Sequence, residues 1–269
     1  MKAICQTGSF EAFSMYNAIY VDKTELIYSL VSLPNRIFIS RPRRFGKSLT
    51  LDTIATLFET GVEPYFKGTW IYDKWTEPTY PVLRLNFLNF DKNSLEKFNN
   101  KLNSKITEFA ELNHVTSYKE KEEAEDSIDH LLEQLRLENR QIVILIDEYD
   151  CQMTANINNE TLYKQFQEKI KSFYANLKDK FAIKFLGITG VTRLKDVAIF
   201  SVGSDINDIT NSSAYSQMIG FTRDEIKKFY IDYLKLAASY ENNCNVDEVT
   251  DTQIESLLDR LAQNYDGYC

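Results

Sequence analysis

The segment RPRRFGKS, residues 41–48, contains the residue types that bind phosphate groups. It matches the phosphate-binding loop pattern GxxxxGK(S/T) at Gly46, Lys47 and Ser48, and it has Arg41 where that pattern has its first glycine. Gly46 lets a backbone approach a phosphate, Lys47 can reach the β- and γ-phosphates, and Ser48 can ligate Mg²⁺. The segment therefore predicts a site for a nucleoside triphosphate. The nucleotide-binding residues that we expect are Arg41, Pro42, Arg43, Arg44, Phe45, Gly46, Lys47, Ser48 and Leu49.

Positive charge is concentrated around this loop in a chain that is acidic as a whole. Residues 36–51 hold five basic side chains and no acidic one, whereas the full chain has 31 Lys and Arg against 39 Asp and Glu and a net charge of −8. The overall excess of acid disfavours a protein coated in positive charge for nucleic acid, while the local cluster suits a triphosphate. A basic turn that contacts only solvent or nucleic acid stays open as the alternative.

Two carboxylates follow an apolar stretch of the type that forms a buried strand. Residues 142–146 are Ile-Val-Ile-Leu-Ile, and Asp147 and Glu148 come directly after them. Ligands of open α/β sheets bind at the carboxyl ends of the strands, so we expect Asp147 to hold Mg²⁺ and Glu148 to polarise a water molecule as general base. The alternative for the pair is a helix cap. The following Tyr149 and Asp150 could shape the same edge, and for Asp150 a cap that faces solvent fits the sequence equally well.

Two further polar residues belong to the same edge by the order of the elements. Thr189 ends an apolar segment and is expected to sense the γ-phosphate or to orient water, and Arg193 could neutralise charge in the transition state, in cis or across a subunit contact. Packing at a strand end is the alternative for Thr189, and a structural role is as well supported as a functional one for Arg193. The expected catalytic residues are Lys47, Glu148, Thr189 and Arg193, and the expected metal ligands are Ser48 and Asp147.

The elements that must position these residues alternate between strand and helix. Strands are expected at residues 36–40, 81–87, 141–146, 184–189 and 207–210, and helices at 25–32, 49–58, 94–112 and 119–137. Stretches that are apolar on both faces indicate a parallel sheet covered by helices on both sides. We therefore expect an α/β fold with a doubly wound, mainly parallel sheet. Further along, Thr222 and Glu225 have the spacing of a capping box at the start of a helix, and residues 252–264 predict another helix.

Composition excludes several classes of protein. With 43% apolar and 26% charged residues, the chain can bury a core and is not a low-complexity segment. No stretch approaches the ~18 apolar residues of a membrane span, and residues 1–10 lack the pattern of a signal peptide, so we expect a cytoplasmic protein with no membrane partner. The four cysteines and two histidines show no metal-ligand spacing.

Taken together, the motifs resemble those of the bacterial AAA-ATPase-like family, whose members are often joined to a C-terminal PD-(D/E)XK nuclease-like domain. The segments that carry the resemblance are YVDKT (20–24), RPRRFGKSL (41–49), YPV (80–82), LIDEYD (145–150), TGVTR (189–193), NDIT (207–210) and GFT (220–222). An arginine in place of the first glycine is usual in that family. The resemblance therefore covers nearly the whole chain.

The resemblance implies a P-loop ATPase domain at residues 1–220, with an extra strand between the two Walker strands, and an incomplete, lid-like helical appendage at 221–269. ATP and Mg²⁺ are the implied cofactors. Two departures from the family's sequence pattern limit which of its properties are expected of this chain. Cys151 and Gln152 stand where the family tends to have Lys-Pro, and residues 265–269 resemble a family segment after which longer members continue. Nuclease activity is therefore not expected of this chain.

The sequence thus predicts Mg²⁺-dependent ATP hydrolysis that moves the appendage and signals to a fused domain or a partner. The alternative is a nucleotide-gated adaptor that binds nucleic acid through Arg41, Arg43 and Arg44, with little or no hydrolysis. A small-molecule kinase is a third, less favoured interpretation. A fused or separate nuclease-like domain, nucleic acid and a homo-oligomer stay open as partners.

Overall fold

Among the residues that the computed structural model describes, 1–33, 35–178, 181–192 and 205–264, five strands form one sheet. In chain order the strands are β1 (Asn35–Ser40), β2 (Val82–Asn86), β3 (Ile142–Asp147), β4 (Ile183–Gly190) and β5 (Asn207–Asp208). Their order across the sheet is β2-β3-β4-β1-β5, and every neighbouring pair is parallel. The strand β4 therefore lies between β1 and β3, and the carboxyl ends of all three meet at one edge.

Each face of the sheet carries its own hydrophobic core. All residues of β3 are buried, and successive side chains point to opposite faces. Ile142, Ile144 and Ile146 belong to one core, whereas Val143 and Leu145 belong to the other. A strand that is buried on both faces is apolar throughout, because no position faces water. The prediction of a parallel sheet covered on both sides is confirmed.

Seven α-helices precede residue 176 in the described chain, and all of them except the first contribute buried side chains to these two cores. They are α1 (Glu11–Met15), α2 (Thr24–Val31), α3 (Lys47–Thr60), α4 (Leu95–Leu112), α5 (Ala124–Leu137), α6 (Cys151–Ala155) and α7 (Glu160–Ala175). Leu30 of α2 and Ile54 of α3 enter the core on one face, and Leu102 of α4, Ile128 of α5 and Phe173 of α7 enter the other. Burying one such side chain stabilises a fold by about 1.5–3 kcal/mol, so both helical layers hold the sheet in place.

The helix expected at residues 119–137 begins later than the sequence indicates, at Ala124. Two side chains of α4 bind the backbone that precedes it. Asn99 and Asn103 donate hydrogen bonds to the carbonyl oxygen of Glu122 over 2.9 and 3.1 Å, and the side-chain oxygen of Asn99 accepts the N–H of Ala124 at 3.0 Å. Because these contacts satisfy the backbone outside a helix, residues 119–123 stay irregular.

The C-terminal helices build a small core of their own. They are α8 (Arg223–Phe229), α9 (Ile231–Asn242) and α10 (Asp251–Asn264). Leu234 of α9 packs with Ile254, Leu257 and Leu258 of α10. The capping box predicted for Thr222 and Glu225 is present at the start of α8, whereas the division of the chain at residue 220 stays a prediction.

None of the helices in the described ranges combines the length and the apolar character needed to cross a membrane.

Candidate functional site

The loop between β1 and α3 bends through two residues in the left-handed backbone conformation. Arg44 has a φ of 68° and Gly46 a φ of 97°, and within this loop only these two have a positive φ. Gly46 is the N-cap of α3, and within the described chain no side chain caps the helix there. The first N–H groups of the helix and its partial positive charge are therefore open to an anion.

Arg41 stabilises the start of this loop rather than bending it. Its guanidinium donates hydrogen bonds to the carbonyl oxygens of Ser40 at 2.9 Å and Thr210 at 2.6 Å, and its backbone N–H donates to Gly190 at 3.2 Å. Since Arg41 has an ordinary negative φ, the position does not need glycine. The arginine ties the loop to the segment after β5 and to the end of β4.

Lys47 begins α3, and its side chain is almost fully buried, with 3% of its surface exposed. The ammonium group donates a hydrogen bond to the carbonyl oxygen of Pro42 at 3.1 Å and lies 3.9 Å from a carboxylate oxygen of Glu148. A buried ammonium needs acceptors, and here these come from the loop and from the acid after β3. Lys47 thus lies between the two motifs that the sequence singles out.

Asp147 connects a hydroxyl group at the start of helix α3 with one at the end of strand β4. The hydroxyl of Ser48 donates to Oδ2 of Asp147 at 2.6 Å, and the hydroxyl of Thr189 donates to Oδ1. These residues are 99 and 42 positions from Asp147 along the chain, and the order of β1, β4 and β3 brings them together. Asp147 is 7% exposed, so its carboxylate is buried among donors that reach both of its oxygens.

Glu148 follows with a left-handed backbone, at a φ of 55°. Its N–H donates to Oδ1 of Asp147 at 3.0 Å. Burial raises the pKa of the Glu148 carboxyl above its ordinary value; the charge of Lys47 opposes this increase, and the charges of Asp147 and Asp150 add to it. A carboxylate with a raised pKa is a better acceptor for a proton from water near neutral pH.

The oxygens of Ser48 and Asp147 are the part of the site that suits a divalent cation. A hydroxyl and a carboxylate are hard oxygen donors of the kind that Mg²⁺ prefers. Within the described ranges, no group of three or more His, Cys, Asp or Glu side chains could enclose a metal ion. A cation here would therefore take its remaining ligands from water and from a bound phosphate, which is the way Mg²⁺ is usually held.

Five of the residues expected from the sequence meet at this edge: Lys47, Ser48, Asp147, Glu148 and Thr189. Of the loop residues, Arg43 and Arg44 are exposed, and Phe45 is partly buried and packs against the core on the α3 side of the sheet. Arg193 lies outside the described residues, the last before it being Thr192.

Asp150 is the residue for which the sequence leaves two roles open, either shaping this edge of the sheet or capping a helix towards solvent. It is only 1% exposed and makes no side-chain cap to α6, so the expectation of a cap that faces solvent is wrong. Its carboxylate accepts hydrogen bonds from Val191 and Thr192, which follow β4. A pattern in the sequence could not show this, because the partners lie 41 and 42 residues away.

A family model described as Predicted AAA-ATPase matches residues 5–200. The chain belongs to this family. The matched range contains the loop, Asp147, Glu148 and Thr189, and it ends before α8.

A longer protein resembles this member of the AAA-ATPase-like family. The "Uncharacterized protein in vnfD 5'region" of Azotobacter chroococcum mcd 1 is 32% identical over 238 residues, which cover 80% of this chain and 45% of that protein. The chain therefore spans less than half the length of the relative it matches.

Proposed function

We propose that the chain binds ATP together with Mg²⁺ at the carboxyl edge of the sheet and hydrolyses it. The observation that carries this proposal is the hydrogen-bonded series from Ser48 through Asp147 to Thr189, with Lys47 and Glu148 3.9 Å apart beside it. A phosphate-binding loop, an acidic strand end and a polar strand end are the three parts that such hydrolases use. Membership of a family described as predicted ATPases supports the same conclusion.

Binding would rest on the loop and on the start of α3. The open N–H groups after Gly46 and the ammonium of Lys47 would hold the β- and γ-phosphates, with Arg43 and Arg44 adding positive charge from the exposed side. Ser48 and Asp147 would hold Mg²⁺, which when bound neutralises charge on the phosphate oxygens. The hydroxyl of Ser48 would then turn from Asp147 towards the ion.

Hydrolysis would use Glu148 as the general base. A water molecule adds to the γ-phosphorus, its proton passes to the Glu148 carboxylate, and the bond to the β,γ-bridging oxygen breaks to give ADP and inorganic phosphate. Thr189 is 1% exposed and fixed by Asp147, which suits a residue that orients water or senses the γ-phosphate. Arg193 is proposed to neutralise transition-state charge, in cis or from a neighbouring subunit.

The C-terminal helices are proposed to respond to the nucleotide. Lys23, just before α2, forms an ion pair with Glu225 of α8, and the ring of Phe45 lies close to Gly220, where a Cβ atom would be 3.6 Å from the ring. A change in the loop could therefore reach Gly220, three residues before α8, by direct contact. We propose that this motion signals to a fused domain, of which a nuclease-like domain is one candidate, or to a separate partner in the cytoplasm.

The test measures the affinity for Mg-ATP by calorimetry and the rate of phosphate release, in wild-type protein and in variants. Lys47→Ala should abolish binding, because it removes the buried ammonium at the phosphates. Glu148→Gln should keep the affinity within about threefold and lower kcat by about 10²–10³-fold, since it removes only the base. Lys164→Ala, which removes an exposed lysine of α7, is the matched control and should change neither quantity. Wild-type protein that binds no Mg-ATP would refute the proposal.

A second function is favoured by one observation: Arg43 and Arg44 are exposed, and within the described chain neither forms an ion pair. A nucleotide-gated adaptor would use these side chains on nucleic acid. Its signature is an affinity for nucleic acid that falls steeply with salt and disappears in a variant with both arginines replaced by alanine, while ATP binding persists. Retention of ATP turnover without any nucleic-acid binding would exclude it.

A further inference from the structure

The turn after β3 is attached to the end of β4 and the turn after it by one backbone and one side-chain hydrogen bond of Tyr149. The N–H of Tyr149 donates to the carbonyl oxygen of Thr189 at 3.0 Å, and its hydroxyl donates to the carbonyl oxygen of Thr192 at 3.0 Å. Tyr149 is fully buried, and its ring lies against Gly190. A Cβ atom at Gly190 would come within 2.4 Å of that ring, so the two turns touch without space for a side chain.

Asp150 completes the attachment from the next position. Its Oδ1 accepts the N–H of Val191 at 3.2 Å, and its Oδ2 accepts the N–H of Thr192 at 2.7 Å together with the Thr192 hydroxyl. In the described chain no ion pair involves Asp150, although the residue is 1% exposed. Its buried charge is therefore balanced by these donors, and the donors in turn need a carboxylate.

The chemistry of the donors explains why a carboxylate is needed. The N–H groups of Val191 and Thr192 approach different oxygens of Asp150, so both oxygens must accept. An asparagine has one acceptor oxygen and one NH₂ group, and the NH₂ group would face an N–H donor. An amide at this position would therefore lose at least one of the two backbone bonds and repel its partner.

The attached turns carry the two residues whose geometry matters for hydrolysis. Thr189 lies immediately before Gly190, and Glu148 lies immediately before Tyr149 in a left-handed backbone conformation at a φ of 55°. A residue other than glycine stays in that conformation only when its surroundings hold it there. The bonds from Tyr149 and Asp150 are the contacts that hold this turn against β4.

We propose that Asp150 is a positioning residue for turnover, which fixes Glu148 and Thr189 relative to each other without touching the nucleotide. This inference rests on the proposed ATP hydrolysis. Loss of the Asp150 carboxylate would leave the phosphate-binding loop and Lys47 unchanged, so binding should survive. The displacement of the base and of the Thr189 hydroxyl should lower the rate of the chemical step, because small misplacements of reacting groups are costly.

The experiment compares nucleotide affinity and kcat in variants of this cluster. Asp150→Asn should lower kcat by about 10–100-fold while the Kd for Mg-ATP stays within about threefold of wild type. Thr192→Val should give a smaller decrease in kcat, and Thr192→Ser, which keeps the hydroxyl donor, should restore it to within about twofold. Asp91→Asn is the matched control, because Asp91 also accepts two backbone N–H groups, those of Asn93 and Ser94. It should change neither quantity.

The outcomes separate this inference from the proposed function. If wild-type protein shows no turnover that depends on Lys47, the proposed function fails and the positioning role fails with it. If wild-type protein turns over and folded Asp150→Asn keeps its full kcat, or loses only affinity, the positioning role alone is refuted. Should Asp150→Asn not fold, Tyr149→Phe removes one bond of the same cluster, and a full kcat in that variant and in Thr192→Val would refute the role equally.

Discussion

The guanidinium of Arg41 donates a hydrogen bond to the carbonyl oxygen of Thr210 across the end of β1. The backbone N–H of Ser40 donates a second hydrogen bond, to the hydroxyl of the same threonine at 3.0 Å. The start of the loop is thus fixed to the segment after β5 by two bonds. This explains how a chain can use arginine where the general phosphate-loop pattern has glycine.

Replacing Arg41 by glycine should therefore weaken the protein, although it restores the general pattern. Arg41→Gly loses the charge-assisted bonds to Ser40 and Thr210 and adds backbone freedom, and we expect it to lower the free energy of unfolding by about 2–3 kcal/mol. Arg41→Lys, which keeps a donor, should be less destabilising. Urea denaturation of both variants measures this. A glycine variant as stable as wild type would show that the bonds to Thr210 contribute nothing.

The contact of Gly190 with Tyr149 gives a second prediction. Gly190→Ala places a methyl group within 2.4 Å of a buried aromatic ring and 2.9 Å from Asp150, so the turn after β4 must shift. We expect a loss of about 1–3 kcal/mol in the free energy of unfolding, as for overpacked cores. Gly8→Ala is the control, because a Cβ atom there meets nothing within 4 Å. Equal stability of the two variants would contradict the tight packing.

Much of this site could be predicted from the sequence, because its chemistry lies in short motifs at strand ends. The meeting of Ser48 with Asp147 follows once β1 and β3 are recognised as parallel strands of one sheet, since their carboxyl ends share an edge. The role of Asp150 could be predicted only as one of two, shaping this edge of the sheet or capping a helix towards solvent. It depends on the register between two turns, and a carboxylate after a strand fits a helix cap equally well until that register is known.

The positions of the helices show the same limit of prediction from sequence. The start of α5 depends on Asn99 and Asn103 of a neighbouring helix, which local propensity does not contain. The helix α7 was not among the elements predicted from the sequence, although Asn159 caps it and Phe166, Ile170 and Phe173 have helical spacing. The cap and the spacing of the apolar residues are both local features of the sequence. Counting apolar residues at helical spacing over residues 160–175 therefore predicts this helix.

Arg44 gives a prediction that separates charge from backbone conformation. The residue is exposed and has a φ of 68°, which costs a non-glycine residue about 1 kcal/mol. Arg44→Gly should therefore raise the free energy of unfolding or leave it unchanged, while Arg44→Ala should not raise it. Both variants remove one positive charge near the proposed phosphate site, so both should weaken Mg-ATP binding by about two- to fivefold at low salt. Thermal denaturation measures the change in stability, and calorimetry measures the change in affinity for Mg-ATP. A marked destabilisation by Arg44→Gly would contradict a strained backbone at Arg44.

The ion pair between Lys23 and Glu225 makes stability depend on pH. Burial alone would raise the pKa of Glu225, but hydrogen bonds from Lys23 and from the N–H of Thr222 outweigh it and hold the pKa below the ordinary value of 4.5. The unfolded chain therefore binds a proton at higher pH than the folded protein does. The stabilisation is present above about pH 4.5 and is lost as the pH falls through the lower pKa of the folded state.

Glu225→Gln tests this dependence, because glutamine keeps the capping box and removes the charge. At pH 7 the variant should be less stable than wild type by about 1 kcal/mol, a value reduced for the partial exposure of the pair. The difference should shrink as the pH is lowered below 4.5, since the wild-type carboxyl becomes neutral as well. Glu111→Gln, at an exposed position of α4, should show no such trend in urea denaturation. A constant difference between Glu225→Gln and wild type at every pH would mean that the charge of Glu225 does not hold α8 against Lys23.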